Sequence, residues 1–398
     1  MTLTVNFPDP QKFSSLLFEK MQLISPAVTE LELYEFRYCL DNITPAGGWE
    51  SIMPAAKKDI ERLVNSRAFY DSIQFNHRVN GSIALDEKII KLSQMLFVGL
   101  VSGQYSVEWA LKHFYFDVRC FFFLHRTTYF TDTIKARFGV RPYRQFEPKQ
   151  TAFERQQGIG YKEFKAANAG IDGLFITSAK QLVRSKKSPV LLAIAGQTAA
   201  GKTEIVARLR EAFNADGMQT TSIELDNYLL DRNYREAYGI HTEGKRALHL
   251  GLLLLDLQKI TRGEVIHTPR YNFIDGSSSH DLEGQLKADR TPIEVFPADV
   301  IFIEGNFPFL LDEVAPLIAI KVVYLTDDPV RLKRKWKRDM DYRKKYDLNY
   351  FRNRYFKDQF IMAEIAYRPQ LELCDLAVDT TGAALWAAPE TAAVLDSR

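Results

Sequence analysis

The stretch IAGQTAAGKTEI, Ile194 to Ile205, decides the fold. Between an apolar run, VLLAIAG (190–196), and a helical pattern, EIVARLREAF (204–213), stand Gly196, Gln197, Thr198, Ala199, Ala200, Gly201, Lys202 and Thr203. These residues form a GxxxxGK[ST] loop in the strand–loop–helix setting that such a loop requires. Each residue type has a physical reason. Glycines let the backbone wrap a phosphate with its N–H groups inward, and the following helix presents its positive end. Lys202 reaches the β- and γ-phosphates, while Thr203 offers a hydroxyl to Mg2+. The loop therefore predicts a bound nucleoside triphosphate, expected to be ATP, with Mg2+ as its companion.

Working outward, short apolar runs alternate with helical patterns: VLLAIAG (190–196), TTSIEL (220–225), DVIFIEG (299–305), IKVVYL (320–325) and LAVDT (376–380). Runs apolar on both faces and spaced by helices predict an α/β domain whose five-stranded parallel sheet is covered by helices on both sides. Upstream, SSLLFEKMQLI and LDEKIIKLSQMLFVGLVSGQYSVEWALKHFYFDV carry helical periodicity, so the first part reads as mostly α-helical. Within it LKHFYFDVRCFFFLHRTTYF (111–130) reads as a helix buried in a core, with an aromatic ligand pocket as the other reading; its charges exclude a membrane span. The basic, proline-ended RSKKSP (184–189) marks the expected boundary, giving a domain 1–184 and a second domain 185–398. QQGIGY (156–161) reads as a loop, and the Ala-rich tail GAALWAAPETAAVLDSR as a loosely docked helix or a partly disordered end.

A length of 398 residues suits two domains. Hydrophobic content of 46% with 26% charged residues is globular, and a formal net charge of +2 gives no general reason to invoke nucleic acid or membrane. Cys39, Cys120 and Cys374 lie far apart without CxxC spacing, which supports neither a disulfide framework nor a zinc site and points to a reducing compartment. MTLTVNFPDPQKF lacks the basic and apolar regions of a leader, and no apolar run of about 18 residues occurs. A cytoplasmic protein is expected.

The destination of the phosphate depends on three further places. In ELDNYLLD (224–231), Asp226 would stand at the C-terminal edge of the sheet beside the loop. There it could take a proton from an acceptor hydroxyl, or simply cap a helix. VIFIEGNF (300–307) ends its apolar run with Glu304, placed to deliver one carboxylate to the magnesium sphere next to Thr203. DDPVRLKRKWKRDMDYRKKYD (327–347) gathers Arg331, Lys333, Arg334, Lys335, Lys337, Arg338, Arg343, Lys344 and Lys345. That run could be a solvated face, a nucleic-acid surface over 331–357, or a lid whose arginines close over a moving phosphate.

Together these residues resemble the uridine kinase and phosphoribulokinase group of P-loop kinases, over about residues 188–382. AGQTAAGKT looks like the family loop, LDNYL like its Asp-x-Phe/Tyr element, and TRGEVIHTPRYNF like the stretch lining its acceptor site. IFIEG matches the Glu-Gly strand end, VRLKRKWKRDMDYR the lid, and ELCDLAVDT the terminal strand. The resemblance implies a small-molecule kinase transferring the γ-phosphoryl group of ATP to a hydroxyl. It implies Asp226 as base, Lys202, Arg338 and Arg343 on the moving phosphate with Arg334 beside them, and Tyr228, Tyr271 and Arg270 at the acceptor.

Two departures bear on the acceptor. Asp226-Asn227-Tyr228-Leu229 lacks the second aromatic of the uridine kinase element, and Gly276 stands where those enzymes carry a base-contacting histidine. The segment HTEGKRALH (241–249) replaces HPDAFD as well. Uridine and cytidine are therefore expected to be poor substrates. Tyr271 with Asn272 looks more like the phosphoribulokinase version, and Arg270 and Lys245 either face an anionic acceptor or are surface charges. A kinase acting on a macromolecule and a nucleotide-dependent switch or assembly factor are the alternatives. The expected partner is a small hydroxyl compound, with no membrane and no nucleic acid. Regulation, self-association into a homo-oligomer or a second ligand are the roles open to the first domain.

Overall fold

The computed structural model describes residues 8–73, 76–77, 83–84, 86–117, 121–146, 168–240, 244–326, 328–343 and 358–397. QQGIGY, Cys120, His241 to Glu243, Lys344 and Lys345 lie outside them. The chain divides into two compact units, one of Met1–Thr128, Lys149–Glu163 and Lys345–Ile361, the other of Tyr129–Pro148, Phe164–Lys344 and Met362–Arg398.

The second unit is built on a seven-stranded sheet of β1 (Arg144–Gln145), β2 (Val190–Ala195), β3 (Thr220–Glu224), β4 (Val300–Gly305), β5 (Ile320–Leu325), β6 (Leu376–Asp379) and β7 (Ala384–Ala387). Their spatial order is β1-β7-β6-β5-β2-β4-β3. The five strands from β6 to β3 are parallel, as expected. β7 and β1 then extend the sheet as antiparallel strands. Every residue of β2 is buried, which fits its unbroken apolar run.

Alternation along the strands sorts the core into two faces. Leu191, Ala193, Ile301, Ile303, Val323 and Leu325 meet Leu253, Leu257 and Ile260 of α3 (Leu250–Thr261) and Leu371 of α5 (Arg368–Leu373) on one side. Leu192, Ile194, Phe302, Val322 and Tyr324 meet α1 (Ala169–Arg184) and α2 (Lys202–Ala215) on the other. A further helix, α4 (Asp328–Asp341), follows β5.

The boundary expected at 184/185 is corrected by this packing. α1 buries Ile171, Phe175, Ala179 and Leu182 against the sheet, so it is part of the second unit's core. Ile134 and Phe138 lie in the opposite face's core, and Phe130 stacks on Trp386 at 4.7 Å. The basic run at 184–189 is only the turn from α1 into β2. The tail is corrected too: Ala384–Ala387 is a sheet strand and Pro389–Asp396 a helix with Leu395 in the core. Ala384–Ala387 lies between β1 and β6 with every residue buried, so its small residues mark packing and not disorder.

In the first unit, helices Pro10–Ile24, Leu33–Asp41, Lys57–Val64, Arg67–Ser72, Glu87–Val101 and Val107–His113 surround a core including Phe13, Leu17, Phe36, Phe97 and Phe123. Asp9 starts the first helix by accepting from the N–H groups of Gln11 and Lys12, both at 3.0 Å. The aromatic run at 111–130 is core, as expected, but not one helix. After His113 it forms an antiparallel hairpin of Phe114–Asp117 and Phe122–His125. Aromatic side chains fit a half-buried pleated surface, and here that preference overrides the helical spacing. Among the described residues no helix is long and apolar enough to cross a membrane.

Candidate active site

The loop between β2 and α2 owes its shape to two backbone constraints. A Cβ on Gly196 would stand 2.2 Å from the carbonyl oxygen of Tyr324, so only glycine lets β5 approach the loop this closely. Ala199 (φ 65°) and Gly201 (φ 102°) both take left-handed conformations, a turn that gathers backbone N–H groups into an anion-binding concavity at the α2 N-terminus. Gln197 is buried and holds the loop to the end of β5 by accepting from the Thr326 N–H at 3.4 Å. Thr326 in turn donates its hydroxyl to the Ala200 carbonyl at 2.7 Å.

Lys202, the first residue of α2, is buried, with its ammonium on the carbonyls of Gly196 (2.9 Å) and Gln197 (3.1 Å) and on Asn306 Oδ1 (3.3 Å). Burial presses its pKa down, against the pull of Glu304 and then Asp226. Next to it Thr203 donates its hydroxyl to Glu304 Oε1 at 2.6 Å. Glu304 ends β4, in register with Ile194 of β2 and Glu224 of β3, which brings the expected pair together. Its pKa is pushed up to about 7, chiefly by burial, with Glu224 and Asp226 adding to the rise and Lys202 opposing it. A hydroxyl and a carboxylate at the mouth of a phosphate loop fit Mg2+, a hard cation that takes one or two protein oxygens and completes its shell with phosphate and water.

Asp226 sits in the single turn Leu225–Tyr228 that closes β3. Its charge is felt at Lys202, Glu224 and Glu304, so this carboxylate shares a field with the loop lysine and the β4 carboxylate. Its neighbour Asn227 accepts from the Tyr271 N–H at 3.2 Å, tying the turn to the hairpin of Tyr271–Asn272 and Ser277–Ser278.

The aromatic residues expected at the acceptor are turned elsewhere. Tyr228 is fully buried and donates its hydroxyl to Asp256 Oδ2 of α3 at 2.7 Å. Tyr271 is buried too, its hydroxyl accepting from Arg235 Nη2 at 2.8 Å and its ring set edge-on to Phe273. Arg270 is exposed, with its backbone N–H on Ser279 Oγ at 2.8 Å. Lys245 pairs with Asp312 at 3.3 Å, both exposed. At Gly276 the side-chain space is filled by Arg232, whose Cζ lies 2.5 Å from where a Cβ would stand.

α4 and the turn after it carry the lid cations. Arg334 donates to the Ala199 carbonyl at 3.3 Å, and burial lowers its pKa to about 10. Arg338 is close enough to bear on Lys202, and among the described residues its buried Nη2 has no hydrogen-bond partner. Arg343 lies 4.3 Å over the Phe273 ring. One residue that the sequence reading passed over organises them: Asp339, fully buried, lies 3.8 Å from Lys335 and 3.6 Å from both Arg338 and Arg343. Its signal was the i, i+4 spacing of Lys335, Asp339 and Arg343, which carries one stripe of α4 into the turn that follows it. Asn306 and Arg235 were also missed, and neither has a motif of its own. Among the described residues of the basic run, Arg331, Lys335 and Asp339 are buried while Lys337 is exposed.

A phosphate loop on a parallel sheet, a hydroxyl–carboxylate pair and an arginine-bearing helix reaching the loop define a P-loop kinase. The chain belongs to the Phosphoribulokinase / Uridine kinase family, whose model matches residues 191–382. It is 27% identical over 158 residues to a uridine kinase of Leuconostoc citreum, covering 39% of this chain and 70% of that protein. With a uridine kinase of Brevibacillus brevis it shares 31% over 159 residues, 39% of this chain and 69% of the other. Among solved structures, D-glycerate 3-kinase from Cryptococcus neoformans aligns over 54% of this chain and 98% of its own at 14% identity and a TM-score of 0.36. A likeness that distant adds nothing to the strand order itself.

Proposed function

We propose that the protein transfers the γ-phosphoryl group of ATP to a hydroxyl of a small molecule. The observation that carries this is Asp226, in the turn that closes β3 two residues beyond Glu224, the register partner of Glu304, with its charge acting on both Lys202 and Glu304. A switch has no use for such a group, whereas a phosphotransferase needs a proton acceptor beside the nucleophile. The acceptor hydroxyl gives its proton to Asp226 as its oxygen bonds to the γ-phosphorus, and the bond from that phosphorus to the bridging oxygen breaks to leave ADP. Lys202 and the α2 N-terminus hold the phosphates. Arg338, with its buried free Nη2, and Arg343 stabilise charge on the moving group. Thr203 and Glu304 would hold Mg2+, which when bound neutralises phosphate charge.

A coupled ADP-release assay over nucleosides, sugars, sugar phosphates and hydroxy acids tests the reading. ADP release that depends on one of these compounds, with uridine and cytidine far below it, is the expected result. Release that no small hydroxyl compound raises above the basal rate would sink the proposal, and efficient turnover of uridine or cytidine would return the chain to pyrimidine chemistry.

A further inference from the structure

The family match begins at residue 191, yet the nucleotide loop is braced from before that point. Asp172 lies on α1, buried on the covered side of the sheet with only 3% of its surface exposed. It accepts the Tyr324 hydroxyl at 2.8 Å and forms an ion pair with Arg208. Both partners belong to the loop's framework. Tyr324 is the β5 residue whose carbonyl presses on Gly196, and two residues on, Thr326 holds Gln197 and Ala200. Arg208 lies in α2, the helix that opens with Lys202 and Thr203. On the lid side, Arg334 donates to the Ala199 carbonyl while its charge acts on Tyr324.

We infer that Asp172 is a positioning residue of the nucleotide site: from outside the family region it clamps the strand that presses on Gly196 to the helix that carries Lys202. A buried carboxylate between a phenol and a guanidinium is costly to break, because removing its charge leaves Arg208 facing an apolar core. The clamp fixes β5 against α2, and the loop that must fit the phosphates leads from β2 into α2 under the β5 carbonyl at Gly196. A misplacement of about 1 Å imposed from outside such a site is enough to cost a large factor.

The test uses the full chain and binding of a non-hydrolysable ATP analogue with Mg2+, so it needs no acceptor and is independent of the phosphotransfer reading. Asp172→Asn keeps an acceptor for Tyr324 but removes the charge facing Arg208. Tyr324→Phe keeps the ion pair and removes the hydroxyl. Leu182→Ala, on the same helix and in the same core, is the control for plain loss of packing. By calorimetry well below each melting temperature, the analogue should bind about tenfold more weakly to Asp172→Asn and about threefold more weakly to Tyr324→Phe, with Leu182→Ala close to wild type. Should Asp172→Asn not fold, Tyr324→Phe against Leu182→Ala decides. Wild-type affinity in the folded clamp variants, or an equal loss in Leu182→Ala, would overturn the inference.

Discussion

The two sides of the cleft differ in how they are made. On the phosphate side, backbone does most of the work: a glycine under the Tyr324 carbonyl, two left-handed residues and a helix N-terminus set the geometry, and Lys202, Thr203 and Glu304 complete it. On the side proposed to take the acceptor, the turn at Asp226 is braced by buried side chains, Tyr228 on Asp256 and Tyr271 on Arg235. Phosphate is the same ligand in every such protein, so its cradle is conveyed by a short motif. An acceptor differs from one protein to the next, and its pocket is assembled from residues scattered over several elements.

The largest expected effect concerns what the phosphate side rests on. A fragment beginning at Ser185 lacks α1 and β1, and so leaves Leu192, Phe302 and Tyr324 without Phe175, Leu182 and Asp172. It should be insoluble or melt without cooperativity. A soluble fragment with a sharp melt and bound nucleotide would show that the phosphate side stands without α1.

Within the full chain, Lys202→Ala should cut turnover by about 10²–10³-fold, the size seen when one donor to a charged transition state is removed. Because Lys202 proves to be buried among carbonyls, and not exposed as a purely phosphate-facing residue would be, its melt is worth following in parallel. Unchanged turnover would remove the loop from the chemistry.

The raised pKa of Glu304 gives a pH signature confined to the phosphate side. In the free protein burial favours its protonated form up to about pH 7, whereas Mg2+ needs the carboxylate. Affinity for the Mg2+–analogue complex should therefore rise with pH, by up to about tenfold per unit below that value, with proton release on binding. Titrations in buffers of different ionisation heat read this directly, and a pH-independent affinity from 5.5 to 8 would contradict it.

The smallest effect on catalysis is expected from Tyr228→Phe. It leaves the buried Asp256 short of a donor, costing about 1–3 kcal/mol of stability. The acceptor KM should stay near wild type, because the ring does not face the cleft. A KM rise without destabilisation would put Tyr228 back at the acceptor.

The same contrast explains what the sequence made legible. Four of the five parallel strands were readable because they are apolar on both faces, the edge strand Thr220–Glu224, with only Ile223 buried, by its place in the alternation, and the loop because its residue types answer to phosphate geometry. The two antiparallel strands were not. Arg144–Gln145 is exposed and too short to carry a period, and Ala384–Ala387 hides its one strong signal, Trp386, in an alanine run. Lys202, Thr203, Glu304 and Asp226 could be placed because strand ends define a sheet edge. The inward turn of Tyr228 depends on Asp256, about one helix and a loop further along the chain, a pairing that no local pattern announces.

The central claim is that Asp226 serves the acceptor and not the nucleotide, and one comparison tests it most directly. In Asp226→Asn, acceptor-dependent phosphorylation should fall by about 10²-fold or more, in line with general-base contributions, because the amide keeps the shape but cannot take the proton. Affinity for the Mg2+–analogue complex should stay within about threefold of wild type, the pattern of an interaction made only in the transition state. Wild-type phosphorylation by the variant, or a loss of nucleotide affinity as large as the loss of rate, would contradict the account.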